Sequence, residues 1–134
     1  MVKGMWNYAV KTDDLERTTR FYLECLGAEL RISSEVLGCT YNLIRVGETR
    51  LILFDKAPYE ELLGIELPDG FLHVVYEVDD FESQIRILRE SNVKFLMGPQ
   101  IVEGEFGVRK FAFFEAPGGV RTEVMQILED TGKA

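Results

Sequence analysis

Apolar and polar positions along this chain alternate in short bursts broken by two stretches of helical spacing, and the order of these patterns occurs twice. Segment 7–22, NYAVKTDDLERTTRFY, and segment 73–88, HVVYEVDDFESQIRIL, line up at a constant offset of 66 residues. Each opens on β-branched or aromatic residues, reaches Asp-Asp, and then switches to a 3.6-residue period. The first switch predicts a helix over 14–26, with Leu15, Tyr22 and Leu26 on one face and Gly27 at its end. In the second, Phe81, Ile85 and Leu88 share a face. Asp13 with Glu16, and Asp79 with Glu82, have the spacing of a helix cap and the third helical residue, so these acids are read as helix starters without a catalytic role. Strand patterns follow over 28–32, 40–46 and 49–55, with Gly47-Glu48 as a hairpin turn. They recur over 93–96, 109–115 and 120–127, where Pro117-Gly118-Gly119 makes the corresponding turn. The stretch 97–108, with three glycines and one proline, reads as a long loop bordering any site.

Each half is therefore β-α-β-β-β. The predicted class is α+β, with modules over about 5–56 and 70–128 joined by a linker, 57–69, inside a single domain spanning 1–134. Two such modules cover their open faces by pairing, so that curved sheets surround a cavity. Alternation along a strand then sorts its side chains. Tyr8 and Val10, with Val74, Tyr76 and Val78, go to the helix side; Asn7, Ala9 and Lys11, with His73, Val75 and Glu77, face inward. Lys11 and Glu77 could pair on the cavity floor. In the last strand Glu123 is a charged residue interrupting an apolar run, on the face of Arg121 and Met125. Unpaired polar groups on an inner face are costly unless water or a ligand meets them.

Composition narrows the function classes. The 134 residues are 46% hydrophobic and 28% charged, which suits an ordinary folded domain. A net charge of -8 has the wrong sign for nucleic acid or an anionic membrane surface, so neither is expected as a partner. Cys25 and Cys39 form neither a disulfide framework nor a zinc-type spacing. No run approaches the ~20 apolar residues of a membrane helix, and the N-terminal stretch lacks a signal-peptide pattern, so a cytoplasmic location is expected.

Three segments, NYAVKTDDLERTTRFYLECLGAEL, GFLHVVYEVDDFES and KFAFFEAPGGVRTEVMQ, together resemble the vicinal oxygen chelate superfamily. That superfamily includes glyoxalase I, bleomycin and fosfomycin resistance proteins, methylmalonyl-CoA epimerase and extradiol dioxygenases, and the resemblance covers nearly the whole chain. It implies a divalent metal ion held by a His from the first strand and a Glu or Gln from the last strand of each half. Carried over residue by residue, the second-half ligands fall on His73 and Glu123, which are also the implied catalytic pair. The first-half His falls on Asn7, and the first-half acid, placed by matching Gly47 with Gly119, falls on Leu51. The implied metal set is thus His73, Glu123 and Asn7, an incomplete one. Asp55 is too far along the strand to compensate.

Two functions follow from the resemblance. One is a metal-assisted lyase, isomerase or epimerase acting on a small oxygenated substrate in the cavity, with Glu123 and His73 able to form an acid-base pair without metal. The other is a drug-sequestering protein of the bleomycin-resistance type, its cavity lined by Trp6 near the rim, Phe111, Phe113 and Met125. Arg45, Arg109 and Arg121 could clamp an anionic substrate. The resemblance also implies a homodimer and a small-molecule partner.

Overall fold

The computed structural model describes residues 1–134. Its elements are β1 (Val2–Lys11), α1 (Leu15–Cys25), β2 (Glu29–Val36), β3 (Cys39–Val46), β4 (Thr49–Phe54), α2 (Glu60–Leu63), β5 (Gly70–Val78), α3 (Phe81–Glu90), β6 (Lys94–Gly104), β7 (Gly107–Ala116) and β8 (Val120–Asp130). All eight strands form one sheet in the order β2-β3-β4-β1-β5-β8-β7-β6. The two halves meet at the antiparallel β1 and β5 pair, and within each half the first strand pairs parallel to the last. This is the expected α+β fold of two β-α-β-β-β units curled around a cavity.

Three apolar clusters result. Tyr8, Val10, Leu15 and Tyr22 pack around buried Ile44, Leu51 and Leu53 beneath α1. Val78, Phe81, Ile85 and Val124 do the same beneath α3. The largest cluster lies on the opposite, concave face and includes Ala9, Tyr41, Phe54, Tyr59, Val75, Phe111, Phe113 and Met125. The inward and outward sets of β1 and β5 are thus sorted largely by alternation as expected, and three residues, one each at the end of α1, in β5 and in β1, depart from their expected surroundings. Leu26 is exposed at 54% rather than packed, because α1 ends at Cys25. Tyr76 is also exposed. Trp6, expected on the inner surface near the rim, is on that face but buried in the concave cluster; a register shift between β1 and β5 from Met5 to Asn7 forms a bulge that turns it away from the face of Tyr8.

The helix starts are one residue later than the spacing predicts. Asp14 accepts from the Arg17 amide at 3.1 Å and Asp80 from the Ser83 amide at 3.1 Å. Asp13 and Asp79 are engaged elsewhere, the Asp13 amide on Asp69 and the Asp79 carboxylate on the N-terminal amine.

Two segments read as irregular are structured. Most of 97–108 continues β6 to Gly104, turns at Glu105 and Phe106, and returns as β7. A register shift between Met97 and Gln100 absorbs Gly98 and Pro99, which hid the strand by suspending its alternation. Gly107 closes this turn at φ 120, and a Cβ there would collide with the Glu129 carbonyl oxygen.

The linker 57–69 is likewise more than a connection. It carries α2, and Ala57, Tyr59 and Glu60 are buried. Lys11 Nζ donates to Glu60 Oε1 at 2.7 Å and to the Leu67 carbonyl at 2.6 Å, while Glu60 Oε1 accepts from the Leu67 amide at 2.8 Å. Glu77 pairs instead with Lys3 at 3.3 Å. The expected pairing of Lys11 with Glu77 fails because β1 and β5 run antiparallel: Lys11 sits opposite Gly70, and Glu77 opposite Gly4 at the other end.

Candidate active site

The concave face encloses a cavity of about 50 Å³, bordered by Asn7, Ile52, His73, Arg109, Phe113 and Glu123 among other residues. This is room for a few non-hydrogen atoms, since one water needs roughly 10–15 Å³ on the same measure. The fold brings its polar members together by register. β5 and β8 pair parallel with Val75 opposite Glu123, and His73 lies two residues before Val75 on the same face. His73 Nε2 and Glu123 Oε1 stand 4.0 Å apart.

His73 is fixed on its far side. Its ring lies 4.8 Å from Phe113 and 5.7 Å from Tyr59, centroid to centroid. Tyr59 donates its hydroxyl hydrogen to the Leu72 carbonyl at 3.2 Å, and the same hydroxyl is 3.0 Å from His73 Nδ1. Both bonds form together only when Nδ1–H donates to the tyrosine oxygen, because a carbonyl can only accept. That tautomer leaves an unprotonated Nε2 facing Glu123.

The electrostatics agree with that geometry. Burial, with a contribution from Arg121, lowers the His73 pKa from 6.5 to about 3. Burial raises that of Glu123 from 4.5 to about 8, although Arg109 pulls it the other way. At neutral pH the pair is thus a neutral imidazole beside a protonated carboxyl. His73 is the single histidine of the chain. Its imidazole carbon-bound proton resonances are expected to show no step with a midpoint near the ordinary 6.5 between about pH 7 and pH 5 in an NMR titration; such a step would mean that the ring is solvated.

The structure brings His73, Glu123 and Asn7 to the wall of one cavity, and the first-half counterpart of Glu123 differs from the residue the sequence match points to. In the first half Ala9, the equivalent of Val75, pairs with Ile52. Ile52 borders the cavity, whereas Leu51 packs on the helix side. The first-half acid position is therefore Ile52 rather than Leu51, and either way no acid stands there. Asn7 Nδ2 is spent on the Tyr8 carbonyl at 3.2 Å. No group of three or more His, Cys, Asp or Glu side chains is arranged to hold a metal ion.

Of the three arginines considered as clamps, Arg121 donates to the Leu72 and Phe71 carbonyls and ties β8 to β5. Arg45 donates to the Glu48 and Ala134 carbonyls. Only Arg109 borders the cavity. Tyr59, within the supposed linker, was also missed; an aromatic beside Pro58 and ahead of an acidic pair was its only signal in the sequence.

A family model described as the Glyoxalase/Bleomycin resistance protein/Dioxygenase superfamily matches residues 7–124. A probable lactoylglutathione lyase, chloroplastic, from Arabidopsis thaliana is 24% identical over 127 residues, covering 92% of this chain but only 36% of that protein. The chain thus spans about a third of the length of that relative. Among solved structures, a Streptomyces coelicolor methylmalonyl-CoA epimerase variant in complex with 2-nitronate-propionyl-CoA superposes with a TM-score of 0.75 at 20% identity, covering 96% of this chain and all of that one. Methylmalonyl-CoA epimerase from Mycobacterium tuberculosis gives 0.75 at 19% identity, covering 96% of this chain and 90% of that one. No helix is long and apolar enough to cross a membrane.

Proposed function

We propose that this chain, which belongs to the glyoxalase, bleomycin resistance protein and dioxygenase superfamily, is an enzyme that moves a proton on the carbon beside a carbonyl of a small oxygenated substrate, with Glu123 as the acid-base group. The observation that carries this reading is the placement of a largely enclosed carboxyl 4.0 Å from an imidazole lone pair at the wall of a small cavity. Carboxyl groups whose proton affinity is raised toward neutrality are suited to take and return protons on carbon. In its ionised form Glu123 removes a proton from the carbon: the C–H bond breaks, its electron pair becomes the enolate, and the proton forms Glu123 O–H. In a hydroxyketone the enolate is an enediolate, and the same group then delivers that proton to the former carbonyl carbon while the hydroxyl proton passes to the other oxygen, giving an isomerised product; alternatively the enolate expels a neighbouring leaving group, which departs with its bonding electrons and takes the proton from Glu123. The negative charge on the carbonyl oxygen meets Arg109, the one cation bordering the cavity.

The divalent ion implied by the resemblance has a poor donor set here. A resident ion wants three or more protein ligands. His73 and Glu123 supply two and Asn7 an amide oxygen at best, with Ile52 in the fourth position and a guanidinium bordering the same cavity. If an ion binds, His73, Glu123 and Asn7 are its ligands, and it would polarise the substrate carbonyl.

The test is hydrogen exchange. Small ketones, hydroxyketones and oxo acids are incubated with the protein in heavy water and followed by NMR. Protein-dependent exchange at the carbon beside the carbonyl is expected, reduced about 10²–10⁴-fold in Glu123→Gln and insensitive to chelator. Ligand binding without exchange for any of the panel would overturn the enzyme reading in favour of sequestration. Stoichiometric metal in the purified protein, lost from His73→Ala and Glu123→Gln, would restore the ion to the mechanism.

A further inference from the structure

Arg109 is the most unusual cation of the protein. It is 6% exposed, and its Nε and Nη2 are buried with no hydrogen-bond partner. It belongs to none of the ion pairs, although the chain has 23 acidic residues. Its guanidinium carbon lies 4.1 Å from the Trp6 ring centroid and 4.2 Å from that of Phe106. Stacking of this kind holds the planar group in place but leaves its N–H edge unsatisfied. A buried charged donor without an acceptor is costly, and burial lowers its pKa to about 10 without discharging it at neutral pH.

Nε–H and a terminal N–H of a guanidinium can form a parallel fork that matches two oxygens of a planar anion. The surroundings supply none: the cavity beside Arg109 is walled mainly by apolar side chains, and its only acid is Glu123, which makes no ion pair with the guanidinium. With space for only a few non-hydrogen atoms, the cavity excludes a bulky anion and admits a short one.

We infer that Arg109 is the receptor for the substrate's own carboxylate, and that the substrate class is therefore the short-chain carboxylic acids bearing a carbonyl next to the carboxylate. In such a 2-oxo acid the fork engages one carboxylate oxygen and the adjacent carbonyl oxygen, which sets the neighbouring carbon before Glu123. This assignment rests on the reading of the cavity as a substrate site, and it makes Arg109 a binding residue with its own requirement, negative charge on the ligand.

Trp6 is the single tryptophan and stacks on Arg109, so its fluorescence reports arrival of a ligand there. Titration of the wild-type protein with pyruvate is expected to give a saturable change, and pyruvamide, of the same shape but neutral, is expected to bind at least about tenfold more weakly. Arg109→Lys, which keeps the charge but loses the fork, should weaken pyruvate about tenfold, and Arg109→Gln should abolish the preference for the anion. Glu123→Gln should still bind pyruvate while losing hydrogen exchange. Equal affinity for pyruvate and pyruvamide in the wild type would overturn the assignment even if neither Arg109 variant folds, and so would wild-type affinity in a folded Arg109→Lys. Exchange of neutral ketones alone, with no anion preference, would sink the carboxylate receptor and leave the role of Glu123 standing.

Discussion

Replacement of Lys11 by Met is expected to lower the unfolding free energy by about 3–5 kcal/mol, because it breaks a buried ion pair from one side. Lys11 and Glu60 form a pair whose side chains are 8% and 9% exposed, at 2.7 Å. Removing the ammonium leaves the Glu60 carboxylate buried with a single backbone donor, the Leu67 amide. The Leu67 carbonyl loses its donor at the same time. Lys11→Met with Glu60→Leu removes both charges, and should recover part of the loss while remaining about 1–2 kcal/mol below the wild type, because Leu67 then has neither partner. Urea unfolding at neutral pH measures all three. A single variant within about 1 kcal/mol of the wild type would show that water reaches the pair. The effect should extend to the site, because Glu60 follows Tyr59, whose hydroxyl orients His73.

The second large effect is a stability that depends on pH through Glu123. The folded state raises its pKa from 4.5 to about 8, so folding favours the neutral carboxyl. The associated stability is fully present below about pH 4.5 and is lost as pH rises through about 8. Glu123→Gln preserves the neutral shape and removes the titration. The variant is expected to match the wild type near pH 4.5 and to exceed it by about 3–4 kcal/mol at pH 9, given about 1.4 kcal/mol per pKa unit with allowance for the side chain's residual contact with solvent. His73 shifts in the opposite direction, but both proteins carry it and its contribution cancels in the comparison. Thermal unfolding followed across this range by circular dichroism would show the curves diverging on the alkaline side. Parallel curves would mean that Glu123 ionises as an ordinary surface acid.

Most of the fold was legible because the chain states its plan twice. The offset between Asn7 and His73 matches first strands, helices and faces, and the family resemblance sets His73 and Glu123 at one site. The same device failed at the last strand of the first half. Matching Gly47 to Gly119 assumes equal turns, but two residues separate Val46 from Thr49 and three separate Ala116 from Val120. The error is a single residue, and on a strand a single residue exchanges the two faces, which is why Leu51 was taken for Ile52. Trp6 lies on the expected inner surface but deeper than its rim, because a bulge turns it into the concave cluster. The β6 extension and α2 were hidden by glycine and proline, which mark irregular backbone whether it lies in a loop or in a bent strand. In the sequence Arg109 is one of three candidate clamps with nothing to single it out, and Tyr59 is only an aromatic beside Pro58. Their significance comes from long-range packing: Arg109 is set against Trp6 by the curl of the sheet, and Tyr59 against His73 by a connection between halves.

The pairing of β1 with β5 sets the halves about an approximate twofold axis, so Asn7 stands in the place of His73 and Ile52 in the place of Glu123. A planar enolate held on that axis would meet a proton carrier on one face and a hydrocarbon wall on the other. Stereochemical inversion at carbon requires a proton to leave by one face and return by the opposite one, and the Ile52 side has no group to deliver it. On the proposed chemistry the transfer is suprafacial: the hydrogen is given back on the face it left, which serves exchange or a shift to the adjacent carbon of an enediolate and leaves epimerisation without its second proton carrier.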